Sequence, residues 1–254
     1  MRPSPVFLGI LGLVVAGGVM AAFGDATVLY VNTKDPLLIA GVVVLVAAGW
    51  VASLSLHEFG HAIVAYRGGD DSVAHKGYLT LDVRKYTDPV LSIILPLVFL
   101  VIGGIPLPGG AVWINRGALR TRGTSSWVSL AGPLSNLASG AALSLAVSTI
   151  PMARGLVIGL SFLALLQVMA FLLNILPIPG LDGWGAIEPY LSPQAREFGA
   201  KARPWAPMIL FALLWFFPPA QEALRVSSSW VFENLGGNLG GAYDGQTAFM
   251  FWRN

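Results

Sequence analysis

The chain has 254 residues, 55% of them hydrophobic and only 11% charged, whereas a soluble domain carries charge on about a quarter of its residues. So little charge cannot clothe an aqueous surface, and so many apolar residues exclude a disordered chain despite 30 Gly and 17 Pro. Fifteen Lys and Arg against thirteen Asp and Glu, formally +2, form no basic stripe of the kind that binds nucleic acid.

The composition is therefore that of an integral membrane protein, and the elements can be taken in order. Arg2 precedes a first apolar run, Pro5–Phe23, longer than the roughly 7–15-residue core of a signal peptide and better suited to a retained anchor helix. A second run begins near Pro36 and continues through His57 and His61 to about Tyr66. Some thirty helical residues reach about 45 Å, beyond the roughly 30 Å hydrocarbon core, so this helix tilts or protrudes and its polar end lies near one membrane face. Further apolar runs cover 89–108, 127–150, 155–176 and 204–217, and a weaker stretch, 230–252, is interrupted by Gly236-Gly237 and Gly240-Gly241. Trp113, Trp127, Trp184 and Trp205 stand at run boundaries, where an amphipathic indole favours the membrane interface.

Basic residues orient these runs. With the N-terminus inside, the segment 67–88 returns inside with Arg67, Lys76, Arg84 and Lys85, and 109–126 carries Arg116, Arg120 and Arg122. The positive-inside rule places both on the cytoplasmic side. The run 89–108 must then enter and leave by one face, which Gly103-Gly104, Pro106, Pro108 and Gly109-Gly110 permit by breaking its far end; a full span is the alternative. The expectation is an all-α multi-pass membrane protein of about five to six transmembrane helices. A re-entrant or non-helical segment separates the second helix from the next core helix. The whole chain, 1–254, reads as a single membrane domain with a core at about 37–191 and peripheral helices at 5–23 and 204–226.

The chemistry sits at the inner end of the second helix, in His57-Glu58-Phe59-Gly60-His61. Residues four apart share a helix face, so both imidazoles can reach one ion. Glu58, rotated about 100° from His57, can approach a metal-activated water without being a ligand. This is the HExxH arrangement of zinc hydrolases. The chain has no cysteine and only three histidines, so a third ligand must come from His75 or from an acidic residue that returns to the same face. His75 lies in a charged stretch between Gly68 and Gly77. Asp182 ends an apolar run in Asn174-Ile-Leu-Pro-Ile-Pro-Gly-Leu-Asp182-Gly183, where Pro177 and Pro179 break the helix and Gly180 and Gly183 let the chain turn. An ordinary Asp-Gly turn explains the same residues equally well.

This pair of motifs resembles the site-2 protease family of intramembrane zinc metalloproteases. The resemblance runs from about Leu37 to Leu191. It includes Ala131-Gly132-Pro133-Leu134-Ser135-Asn136, similar to a Gly-Pro-x-x-Asn signature on the family's middle core helix, and the junction Thr87-Asp88-Pro89. It implies Zn2+ held by His57, His61 and Asp182, with Glu58 activating water. It also places Asn174 near the active site, where an amide can bind the substrate backbone or an oxyanion; a hydrogen bond between membrane helices is the other use of such an Asn. Asn136 has the same two readings, with helix packing beside Gly132 favoured. Relatives often carry a PDZ or CBS domain, for which this chain has no room. They also show His-x-Asp-Pro where Tyr86-Thr87-Asp88-Pro89 stands here, and a Lys-Pro that is absent near Trp113. Those departures spare the metal site and bear on substrate-strand details.

The expected activity is zinc-dependent cleavage of a transmembrane or membrane-associated protein in a bacterial cell membrane, with the active site near the cytoplasmic face. Such cleavage serves regulated intramembrane proteolysis or signal-peptide clearance. A locally unwound substrate would add as a strand to non-helical backbone around 106–114. The runner-up is a non-enzymatic metal-binding scaffold or a transporter. Transporter sites usually lie at the bilayer midplane on broken helices of related repeats, and no repeat is visible in this sequence.

Overall fold

The computed structural model describes residues 2–27, 35–86, 112–253 and the isolated positions 98, 100 and 102. Whether 89–108 re-enters or spans therefore lies outside the described residues, as do 106–111 of the segment expected to clamp substrate. Helix α1, Pro5–Phe23, starts where the Ser4 hydroxyl accepts the Phe7 N–H at 3.1 Å and Pro5 occupies the first turn. Helix α2, Pro36–Gly68, runs 33 residues, about 50 Å at 1.5 Å per residue. Asp35 caps its first turn by accepting the Leu37 N–H at 2.8 Å, and Gly69, at φ 118°, ends it in the left-handed region that favours glycine. A short α3, Ser72–His75, follows; then come α4, Arg122–Thr149, and α5, Arg154–Asn174. The remainder is α6, Asp182–Ile187; α7, Pro193–Ala202; α8, Ala206–Phe216; α9, Pro218–Asn234; and α10, Leu239–Phe249. Among the described residues there is no β-strand.

Four of these helices, α1, α2, α4 and α5, are long and apolar enough to cross a membrane, and α8 with α9 makes a fifth span if that bent pair is counted as one. The chain is an all-α membrane protein. The single peripheral helix expected over 204–226 is instead broken at Phe217, where α8 and α9 meet at 94°. The cause is Pro218-Pro219: a proline ring cannot continue the helix before it, yet starts the next one well. Gly236, at φ 78°, separates α9 from α10. Gly240-Gly241, expected as a second interruption, lies inside α10, where Gly241 approaches the Ser161 side chain on α5. There the missing side chains permit contact rather than a turn.

The bundle is assembled by small residues. A Cβ at Gly17 would overlap the Leu45 backbone, and one at Gly41 the Ala21 backbone, so α1 and α2 pack closely. Leu38, Val42, Val46 and Trp50 of α2 bury against Ile158, Phe162 and Leu166 of α5. The outer surface exposes Leu13, Val15, Val19, Leu145, Ile209 and Phe216, a dressing suited to lipid rather than water. The Ser4 N–H donates to the Thr80 carbonyl at 2.8 Å and the Arg120 N–H to the Gly68 carbonyl at 3.0 Å. Those bonds gather the start of α1, the end of α2 and the start of α4 at one end of the bundle. Exposed Trp127, Tyr190 and Trp205 lie on the elements of that end, as interfacial aromatics do.

Candidate metal centre

His57, Glu58 and His61 lie on α2, and His61 is only seven residues from its end at Gly68, roughly 10 Å. Asp182 arrives from α5 by a turn that the local sequence dictates. Helix α5 stops at Asn174 ahead of Pro177 and Pro179, and the Leu181 N–H closes a turn onto the Ile178 carbonyl at 2.9 Å. Gly180 adopts φ 99°, and any side chain at Gly183 would collide with the Ile175 and Leu176 carbonyls. The result sets Asp182 Oδ2 3.2 Å from His57 Nε2 and Oδ1 3.4 Å from His61 Nε2, with 3.1 Å between the two imidazole nitrogens.

These three groups can hold a metal ion, and the spacing tests the fit. Tetrahedral ligands at about 2.0–2.1 Å from zinc stand roughly 3.3 Å from one another, close to all three separations. The protonation pattern agrees. His61 Nδ1 lies 2.6 Å from the Val128 carbonyl and His57 Nδ1 lies 2.5 Å from Asn136 Oδ1. Both oxygens only accept, so each Nδ1 carries the hydrogen and each Nε2 presents a lone pair. Two lone pairs and a carboxylate thus converge in a buried space, an arrangement that is repulsive without a cation between them. Space is reserved as well: a Cβ at Gly132 on α4 would overlap both Nε2 atoms.

The sequence comparisons agree with this donor set. The chain is 44% identical over 255 residues to a protein of Mycobacterium tuberculosis named "Putative zinc metalloprotease Rip2", covering 99% of this chain and 95% of the relative. It is 44% identical over 232 residues to the Mycolicibacterium smegmatis protein of the same name, at 85% of each chain. The chain belongs to the site-2 protease-like family of zinc metalloproteases. A Bacillus subtilis protein named "Putative zinc metalloprotease YwhC" is 33% identical over 204 residues, 73% of this chain and 84% of its own. No family model and no solved structure matches. This bacterial membrane metalloprotease uses zinc, and the scaffold or transporter reading falls away.

Around the metalloprotease's donor set lies a cavity of about 600 Å³ whose walls include Glu58, Val112, Asn174 and Arg116. Glu58 is almost completely buried, and its Oε2 accepts the Val112 N–H at 3.1 Å. The non-helical segment 112–115 is tied down twice more: Lys76 Nζ donates to the Trp113 carbonyl at 2.8 Å, and buried Asp70 accepts the Asn115 N–H at 2.7 Å. Arg116 donates to Ser129 Oγ, to the Gly185 carbonyl and to Glu188 at 3.3–3.4 Å; burial pushes its pKa down. Asn174 reaches the cavity wall, though its Nδ2 donates back to the Ala170 carbonyl at 3.1 Å. Asn136 stands behind His57 and makes hydrogen bonds between membrane helices, the favoured of its two readings: its amide is taken up by His57 Nδ1 on α2 and Gln167 on α5. His75 is exposed at the end of α3 and outside the cluster. Sequence reasoning passed over Arg116, Gln167 and the Val128 carbonyl. Of these only Gln167, an amide in the middle of the apolar run 155–176, carries a signal, because a polar group in a membrane helix needs a partner.

Proposed function

We propose that this metalloprotease is an intramembrane endopeptidase. His57, His61 and Asp182 are its zinc ligands, Glu58 is its general base, and its substrates are transmembrane or membrane-associated proteins. The observation that carries the reading is placement: the three-group cluster lies between membrane helices α2 and α4, about two turns inside the end of α2, on a cavity large enough for a strand of peptide. Zinc in that position supplies Lewis-acid polarisation of the scissile carbonyl and lowers the pKa of a water to about 7. Glu58 takes a proton from the attacking water through the carboxylate oxygen not engaged by Val112, and returns it to the departing amide nitrogen. The new C–O bond and the broken C–N bond then balance as hydrolysis.

A substrate helix has its carbonyls tied up in its own hydrogen bonds and must unwind before it reacts. The non-helical segment 112–115, anchored to Glu58, Lys76 and Asp70, runs along the cavity, and a substrate strand would add to the backbone groups there that these anchors leave free. The Asn174 amide is available for the substrate backbone or the oxyanion. Arg67, Arg84, Lys85, Arg122, Arg196 and Lys201 all belong to segments at the same end of the bundle, which supports a cytoplasmic active site by the positive-inside rule. Water reaches the cluster from that side. The same chemistry serves regulated cleavage of a single-span protein and clearance of signal peptides.

The test uses the full-length protein in vesicles with zinc and a co-reconstituted single-span substrate, with the cut position read by mass spectrometry. The expected cut lies within or at the cytoplasmic border of the apolar segment, and helix-breaking Gly or Pro substitutions there speed it. Efficient cleavage of soluble peptides with the embedded segment left intact would overturn the proposal.

A further inference from the structure

We infer that Gln167 is a positioning residue for the metal centre, holding His57 through Asn136 in the tautomer that ligates. The inference rests on the assignment of His57 as a zinc ligand. Its basis is a buried chain of hydrogen bonds whose direction is set at one end. The Trp50 carbonyl can only accept, and Ser53 Oγ lies 2.8 Å from it, so the serine hydrogen is spent there. Gln167 reaches Ser53 Oγ at 2.9 Å and must therefore present its Nε2 hydrogens. That turns Gln167 Oε1 toward Asn136, whose Nδ2 donates to it at 2.8 Å. Asn136 Oδ1 is left facing His57 Nδ1, which must bear the hydrogen, and the Nε2 lone pair points at Asp182 and His61.

His61 obtains the same tautomer directly from the Val128 carbonyl. His57 has an amide in that place, and an amide can turn over. Were Asn136 to flip, its Nδ2 would donate to His57 Nδ1, the proton would move to Nε2, and the ligating lone pair would be lost. Gln167, completely buried on α5, opposes the flip, because a flipped Asn136 would set its oxygen against Gln167 Oε1. Both amides are buried between the helices, where an unmet polar group is costly.

The experiment measures zinc affinity by chelator competition, together with the imidazole 15N spectrum of the metal-free, full-length protein, with His75 assigned through His75→Ala. Gln167→Met removes the acceptor at similar volume. It should lower zinc affinity about 10–100-fold, the usual effect of losing an outer-sphere partner, and raise the Nε2–H signal of His57. Gln167→Glu should restore both, because a carboxyl buried there is neutral: its O–H donates to Ser53 Oγ and its carbonyl oxygen accepts from Asn136 Nδ2, in the same direction as the amide. Ser53→Ala, a milder change should the methionine variant fold poorly, should move both readouts in the same direction by less. Looser helix packing alone would lower the melting temperature without moving the tautomer signal. Wild-type affinity and an unchanged tautomer in Gln167→Met and Ser53→Ala would overturn the role of Gln167, provided His57→Ala loses zinc. Zinc retained in His57→Ala would instead overturn the ligand assignment.

Discussion

Substituting Gly132 by alanine adds one methyl group to α4, and the structure places it where the metal cluster converges. The added carbon would lie 2.5 Å from His57 Nε2 and closer still to His61 Nε2, against 3.4 Å for ordinary contact. One or both rings must retreat by about 1 Å, whereas ligand distances in a working site hold to about 0.2 Å. Overpacking of this kind costs about 1–3 kcal/mol of stability, which leaves the bundle folded. Zinc affinity should fall by no less than the roughly 10–100-fold that loss of an outer-sphere contact costs, and proteolysis should fall with it. The control is Gly123→Ala on the same helix, where the nearest atom, Thr121 Oγ1, lies 3.7 Å from the added carbon; it should be neutral or slightly stabilising. Zinc binding is read by chelator competition on detergent-purified protein and helicity by circular dichroism. A Gly132→Ala protein that binds one zinc per chain at wild-type affinity would refute the argument that this glycine reserves the cluster's space.

Asp182→Asn should lose stoichiometric zinc, because a neutral amide is a poor donor, while His75→Ala should keep one zinc per chain; the reverse pattern in elemental analysis would remove Asp182 from the site. Chelation should abolish proteolysis and added zinc should restore it, and amide exchange over 175–185 should quicken in the metal-free protein, since Asp182 then faces two lone pairs without a cation. Equal exchange with and without zinc would contradict that coupling. Away from the cluster, hydrogen bonds from Arg84 hold the Asp82 carboxyl below its ordinary value of 3.8 despite its burial. Its stabilisation is therefore present above about pH 4 and lost as pH falls through the depressed folded value. The melting-temperature difference between wild type and Asp82→Asn should accordingly be full near pH 6 and vanish toward pH 2, and a difference that grows in acid would show the sign to be wrong.

Much of this architecture was legible in the sequence because hydrocarbon imposes one requirement, long apolar helices with their backbone bonds satisfied internally. The run Pro5–Phe23 is α1 residue for residue, and the runs 127–150 and 155–176 became α4 and α5 with small shifts at their ends. The HExxH spacing needs nothing beyond a helix to place His57 and His61 side by side. Asp182 was harder, since an Asp-Gly turn is common, and only the three-dimensional return of the segment after α5 separates it from His75. Glycine was the least readable residue. Gly236 ends a helix through its left-handed backbone, whereas Gly240 and Gly241 sit inside one, and local sequence does not distinguish conformational need from close contact. Asn136 shows a related ambiguity: a membrane Asn must find a partner, but whether that partner is substrate, helix or ligand depends on what α2 presents opposite it. Gln167 completes the set, its role visible only once α2, α4 and α5 are seen to meet.

The most direct test of the account compares wild-type protein with Glu58→Gln, both loaded with zinc in vesicles beside a single-span substrate, measuring bound metal and cleavage in the same preparations. The account predicts one zinc per chain in both, with cleavage in the variant reduced by about 10²–10⁴-fold, the usual contribution of a positioned base. A variant that keeps its zinc and cleaves at the wild-type rate would contradict it.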